Sequence, residues 1–317
     1  MKKSKQAILS LLLIGMLLIS VGCSSDSVQQ RGENTGDSDG KIIVVTTIGQ
    51  IADMVEQVGG EYVEVRGLMG PGVDPHLYKA SQGDIAKMEA AEIIFYNGLN
   101  LEGKMADIFV RMASQKPAIA VSEYLGDEEL MEPEAFAGHY DPHIWFDLNL
   151  WKRAAERVRD GLIELAPEHR ADFEQNAEAY MTQLEELHQY ALESIATIPE
   201  ESRVLVTAHD AFGYFGEAYG MEVVGLQGIS TDAEYGVMDV QNLVEMLVER
   251  KIKAVFIESS VPPTAIEAVV EGAKVQGHEV KIGGELFSDA MGEAGTPEGT
   301  FLGMFRHNVN TIVQALR

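Results

Sequence analysis

The hydrophobic pattern of this chain changes character twice before it settles. Residues 7–22 are almost wholly apolar, and residues 24–40 are Ser-, Gly-, Asp- and Gln-rich with little apolar content. From Lys41 onward, short β-branched runs alternate with stretches of helical spacing. The runs at 42–47, 62–65, 93–96 and 118–121 read as strands, and 48–58 reads as a helix. Ser81-Gln82-Gly83-Asp84 resembles a capping box opening another helix. Residues 126–138 are acidic and irregular, and 151–165 form a helix stopped before Pro167. Residues 168–197 contain neither Gly nor Pro, and Phe173, Ala177, Tyr180, Leu184, Leu187 and Tyr190-Ala191 recur there at helical spacing. About 30 residues of helix span roughly 45 Å, too long for an ordinary crossover. After Pro199 the alternation resumes, with strands expected at 203–207, 222–225, 254–258 and 279–282. Helices are expected at 210–219, 237–250, 263–276 and 298–316. The pattern predicts an α/β protein of two lobes, each with a roughly four-stranded parallel sheet flanked by helices. An N-terminal lobe (41–165), a bridging long helix (166–198) and a C-terminal lobe (199–317) follow.

With 317 residues, 46% of them hydrophobic, the chain can bury a core in each lobe. The formal net charge of −26 repels phosphate backbones and excludes nucleic acid as a partner, while it concentrates cations. The single cysteine, Cys23, rules out an internal disulfide. It directly follows the apolar run, which is preceded by basic Lys2, Lys3 and Lys5, too short for a bilayer span, and ended by Val21-Gly22. This resembles a bacterial lipoprotein signal: residues 1–22 would be removed, Cys23 acylated, and 23–40 would form a flexible tether. Ser20 stands where such signals usually carry leucine. The protein is therefore expected outside the cytoplasm, lipid-anchored to the bacterial cell membrane.

The tripeptide Asp-Pro-His occurs twice, as Asp74-Pro75-His76 and Asp141-Pro142-His143, each followed by an apolar-aromatic pair. Proline stiffens the turn, and the aspartate can accept from one ring nitrogen, leaving the other for a metal. Ligands in open α/β sheets sit beyond the carboxyl ends of strands. His76, His143 and His209 meet that rule. His139 lacks the Asp-Pro lead, His169 and His188 fall on the long helix and are expected exposed, His278 lies at the wrong end of a strand, and His307 lies within the last helix. Glu258, Glu285 and Asp289 each sit where a carboxylate would complete a four-ligand set, and position alone does not choose among them.

Four segments carry a family resemblance: Gly70-Pro71-Gly72-Val73-Asp74-Pro75-His76-Leu77-Tyr78, Asp141-Pro142-His143-Ile144-Trp145-Phe146, Thr207-Ala208-His209-Asp210-Ala211-Phe212-Gly213-Tyr214-Phe215, and Gly283-Gly284-Glu285-Leu286-Phe287-Ser288-Asp289-Ala290-Met291-Gly292. In that order they resemble the metal-binding lipoproteins of manganese/zinc ABC importers, over essentially the whole chain from Ile42. The resemblance implies two α/β lobes joined by one rigid long helix, with the metal between them. It implies His76, His143, His209 and Asp289 as ligands, and leaves Asp74, Asp141, Glu258 and Glu285 as outer groups that steady them. It implies a membrane permease and, through it, a cytoplasmic ATPase as partners, a monomeric binding protein, and no catalysis. The short segment before His143 and the sequence His209-Asp210-Ala211-Phe212 resemble the manganese branch, with Zn²⁺ as the alternative cargo. Three histidines and an aspartate also suit a metallohydrolase, but no His-Glu-x-x-His or Gly-x-Ser-x-Gly segment accompanies them. Adhesion or binding of an organic solute is a further alternative, for which no segment argues.

Overall fold

The computed structural model describes residues 40–133, 136 and 138–317. The expected signal peptide, Cys23 and nearly all of the tether lie outside these residues. The chain runs β1 (Ile42–Thr46), α1 (Gly49–Gly59), β2 (Val63–Gly67), α2 (Gln82–Ala90), β3 (Ile93–Tyr96), α3 (Ala106–Ala113), β4 (Ala118–Ala120), α4 (Leu148–Leu165) and α5 (Arg170–Ile195). Then follow β5 (Val204–His209), α6 (Gly213–Tyr219), β6 (Glu222–Gln227), α7 (Val237–Arg250), β7 (Ala254–Glu258), α8 (Thr264–Val275), β8 (Lys281–Leu286) and α9 (Phe301–Leu316). The helix α3 has no counterpart among the sequence expectations, because its eight residues are too few to display a period.

The fold is two-lobed. In the N-terminal lobe the strands form one parallel sheet in the order β2-β1-β3-β4. Val44 stands opposite Val65 on one side and Ile93 on the other, and the apolar run of β1 is buried as a central parallel strand requires. In the C-terminal lobe the strands are again parallel but pair two by two, β5 with β6 and β7 with β8. β5 and β7 run side by side. β8 begins two residues later than expected and continues past residue 282, through Gly283-Gly284 to Leu286. Gly284 has φ 152°, and a Cβ there would stand 2.4 Å from Thr311 Cγ2, so the strand needs glycine to lie against α9.

The long helix α5 has 26 residues, about 39 Å. Its first expected turn is a 3-10 turn, Pro167–His169, and its last residues relax into a turn. Phe173, Ala177, Tyr180, Leu184, Leu187, Ala191 and Ile195 form one buried stripe along it. That stripe packs on α1 and α4 of the first lobe and on α9 and α6 of the second. An aromatic seam crosses between the lobes: Phe146 lies 4.3 Å from Phe212, and Trp151 stacks on Phe301 at 5.3 Å. Such pairs contribute about 0.5–1.5 kcal/mol each beyond their area burial. They hold the carboxyl ends of the strands of both lobes against a common centre.

Candidate metal centre

Each Asp-Pro-His segment folds as the same small turn. The backbone N–H of His76 donates to Asp74 Oδ1 at 2.9 Å, and that of His143 to Asp141 Oδ1, also at 2.9 Å. The copies then diverge. Asp141 Oδ1 also lies 2.7 Å from His143 Nδ1, fixing the ring with Nε2 outward. Asp74 does not hold the ring of His76 as the motif suggests. Its second oxygen is taken by the hydroxyl of Thr231, which donates at 2.6 Å from the other lobe.

His209 is the last residue of β5, and its neighbour across the lobe is Glu258, the last residue of β7. Glu258 Oε1 accepts the His209 backbone N–H at 2.8 Å, and Oε2 lies 2.5 Å from His209 Nδ1. Asp289 follows β8, and the carbonyl preceding it, that of Ser288, accepts from Gln50 Nε2 and Trp145 Nε1, both at 3.1 Å.

These turns and strand ends bring His76, His143, His209 and Asp289 together, with one donor atom of each within 4.8 Å of the others. His143 and His209 are fully buried, Asp289 is 1% exposed and His76 4%. His76 Nε2 to His143 Nε2, His143 Nε2 to Asp289 Oδ1, and His209 Nε2 to Asp289 Oδ2 all measure 3.3 Å, and His76 Nε2 to Asp289 Oδ2 measures 3.8 Å. A tetrahedron with metal–ligand bonds of about 2.0–2.1 Å has edges of about 3.3–3.4 Å. Both Asp289 oxygens and His209 Nε2 are buried without a hydrogen-bond partner among the described residues. Buried polar atoms normally have partners, and a cation among these four groups supplies one.

The electrostatics are those of a charge cluster. Burial opposes ionisation of Asp289, but His209, His143 and His76 outweigh it and hold the carboxyl well below its usual range. Burial likewise opposes protonation of His143, but Asp141 and then Asp289 push it up to about 9. His209 is raised the same way, by Glu258 and Asp289 against its burial. No carboxylate comes closer to the His76 ring than Asp289 Oδ2, at 3.8 Å. Burial dominates there, only partly offset by Asp289, and lowers it to about 3.

Of the other carboxylates, Asp141 stands against the ring of His143, Glu258 against that of His209, and Asp74 against the backbone of His76. Glu285 is exposed within β8, opposite Ile257, and its carbonyl lies 3.1 Å from His307 Nε2. The remaining histidines lie elsewhere. His139 is exposed. His169 and His188 are half-buried rather than exposed, because His169 stacks on Tyr62 at 4.0 Å and His188 Nδ1 meets the Tyr219 hydroxyl at 3.1 Å. His278 lies in the turn before β8 with Nε2 2.7 Å from the Ile252 carbonyl. Sequence reasoning passed over Gln50, Ser288 and Thr231, whose partners are 238 and 157 residues distant and leave no local signal.

A family model described as "Zinc-uptake complex component A periplasmic" (ZnuA) matches residues 44–315. The chain is 49% identical to the manganese-binding lipoprotein MntA of Bacillus subtilis (strain 168) over 313 residues, covering 99% of this chain and 100% of that one. It is 46% identical to the zinc-binding protein TroA of Treponema pallidum (strain Nichols) over 299 residues, covering 94% and 96%. The solved structure of the periplasmic zinc-binding protein TroA from Treponema pallidum superposes with a TM-score of 0.85 at 48% identity, covering 87% of this chain and 99% of that one. With the match spanning both lobes and all four converging residues, the chain belongs to the ZnuA family of metal-binding, solute-binding proteins of ABC importers.

Proposed function

We propose that this protein captures Mn²⁺ between its lobes through His76, His143, His209 and Asp289 and delivers it to a membrane permease. The observation that carries this is the pair of buried, unpartnered Asp289 oxygens, one facing His143 Nε2 and the other His209 Nε2 and His76 Nε2. An aspartate offering both oxygens beside three imidazoles makes five donors, which suits Mn²⁺ better than a closed tetrahedral zinc set. The manganese-binding relative and the His209-Asp210-Ala211-Phe212 segment support the same choice. The second reading is Zn²⁺, favoured by three donor separations of 3.3 Å and by the zinc-binding relative.

In this reading the chain binds and releases cargo and catalyses nothing. Asp141 and Glu258 orient the His143 and His209 rings, and a bound cation takes over from the protons on those rings in offsetting the buried carboxylates. The partners are the permease and, through it, a cytoplasmic ATPase. Residues 1–22 are a cleaved signal, Cys23 carries the lipid anchor, and 23–40 tether a monomeric two-lobed domain outside the cytoplasm. Within it, residues 41–165 and 199–317 are the lobes and 166–198 the bridge. No helix among the described residues is long and apolar enough to cross a membrane.

Calorimetric titration of metal-free protein with Mn²⁺ and with Zn²⁺, followed by competition, tests the assignment. Tight 1:1 Mn²⁺ binding that persists in competition supports it. Tight Zn²⁺ binding with no Mn²⁺ heat and no competition by Mn²⁺ would turn the assignment to zinc. Binding of neither ion, or His76→Ala, His143→Ala, His209→Ala and Asp289→Ala binding as wild type does, would end the metal reading.

A further inference from the structure

We propose that Thr231 is a positioning residue that latches the two lobes together beside His76, and that its hydrogen bond to Asp74 sets how fast the bound ion leaves. The inference rests on the metal reading above and adds to it a residue outside the ligand set.

One carboxylate makes the connection. Asp74 Oδ1 receives the backbone N–H of His76 at 2.9 Å, and Oδ2 receives the hydroxyl of Thr231 at 2.6 Å. The turn that presents a ligand in the first lobe is thereby tied to the segment between β6 and α7 of the second. Hydrogen bonds to a carboxylate are short and about twice as strong as neutral ones. Thr231 is held in place to donate: Gln227 Nε2 donates to the Thr231 carbonyl at 2.6 Å and to that of Ala233 at 2.7 Å. The neighbouring Asp232 pairs with Lys104 of the first lobe at 2.7 Å, in an exposed position where an ion pair adds little.

The location matters as much as the bond. All four converging residues are buried, His76 at 4% exposure and the others at 1% or less, so an ion held among them leaves only when the lobes part. A tie beside His76 opposes that parting. Because the His76 turn uses the other oxygen of Asp74, cutting the tie leaves the ligand's own turn intact. The expected effect is therefore on escape rather than on ligand geometry.

The test uses the full-length protein loaded with Mn²⁺, and separately with Zn²⁺, and chased with excess EDTA in a stopped-flow instrument. Thr231→Val keeps the side chain's shape and removes the donor. It is expected to raise the dissociation rate about 10-fold, with association changed less than twofold and the melting temperature of the metal-free protein lowered by no more than a few degrees. Thr231→Ser should restore the wild-type rate, and Lys104→Ala should leave it nearly unaltered. Asp74→Asn, which keeps an acceptor for the His76 N–H, should also speed release, and it serves if Thr231→Val does not fold. Wild-type dissociation from Thr231→Val, or equal acceleration by Lys104→Ala, would overturn the latch while the metal reading stands. Wild-type protein that takes up neither ion would overturn the metal reading and the latch with it.

Discussion

The indole Nε1 of Trp145 donates to the carbonyl of Ser288 at 3.1 Å, so a residue two positions after His143 holds the backbone next to Asp289 of the opposite lobe. The ring of Trp145 meanwhile packs edge-on against His143 at 5.3 Å. One side chain thus touches the positions of both His143 and Asp289, which the chain separates by more than a hundred residues.

Trp145→Phe removes this donor and keeps most of the apolar volume. Gln50 still serves the same carbonyl, so one hydrogen bond worth about 0.5–1.5 kcal/mol is lost and metal affinity should fall by up to about 10-fold. Titration with Mn²⁺ and Zn²⁺ measures it. Unchanged affinity would mean that Gln50 alone holds Ser288.

Glu258→Gln and Asp141→Asn should each weaken metal binding by about 10- to 100-fold, the range found for groups that orient ligating histidines. Both carboxylates are buried against a ring nitrogen. Glu285→Ala should bind as wild type does, since that side chain is exposed. The three dissociation constants from one titration series separate the groups. Equal losses in Glu258→Gln and Glu285→Ala would contradict the geometry.

Acid should release the ion. Binding needs three neutral imidazoles, and falling pH favours the protonated, metal-free form. His143, raised to about 9 against its own burial by Asp141 and Asp289, carries the competition above neutrality. Affinity should therefore fall at least 10-fold from pH 7 to pH 5 and still be rising between pH 7 and 9. Calorimetry across this range, in buffers of different ionisation enthalpy, also counts the protons released. A flat profile would exclude a three-histidine site.

Asp53 supplies a stability prediction away from the metal ligands. Burial raises its carboxyl from 3.8 to about 6, against a backbone hydrogen bond from Phe301. The folded state then holds the proton more tightly than the unfolded chain, so this group's contribution to stability falls as pH rises from about 4 to about 6 and stays low above. Asp53→Asn keeps an acceptor and carries no charge. It should raise the melting temperature at pH 7 by a few degrees and flatten its dependence between pH 4 and 6. A lower melting temperature at pH 7 would show that the charge on Asp53 stabilises the fold.

Much of this architecture is legible in local pattern. The apolar stripe of α5, the Ser81 cap, the loops beyond strands that carry His76 and His143, and the strand end that carries His209 all follow from spacing and position. The Ser81 box forms as expected, with Asp84 N–H donating to Ser81 Oγ at 3.2 Å and Ser81 N–H to Asp84 Oδ2 at 2.9 Å. What local pattern does not hold is anything settled by the opposite lobe. Asp74 turns from its own histidine ring to Thr231 because the second lobe supplies a hydroxyl there. The expected strand stops at residue 282, yet it runs on through Gly283-Gly284, where the close approach of α9 leaves no room for a Cβ. Among Glu258, Glu285 and Asp289, residue position alone gave no choice, because each lies at or just past the end of a strand. The family resemblance singled out Asp289.

The two matched Asp-Pro-His turns have a kinetic consequence. Each fixes its backbone through an aspartate hydrogen bond and a proline before any ion arrives, so the entropy of gathering these histidines is lost during folding rather than during capture. Metal uptake by such a preorganised half-site should be limited by shedding of water from the incoming ion. Mn²⁺ and Zn²⁺ would then differ in their rates of entry for reasons that belong to the ions and not to the protein.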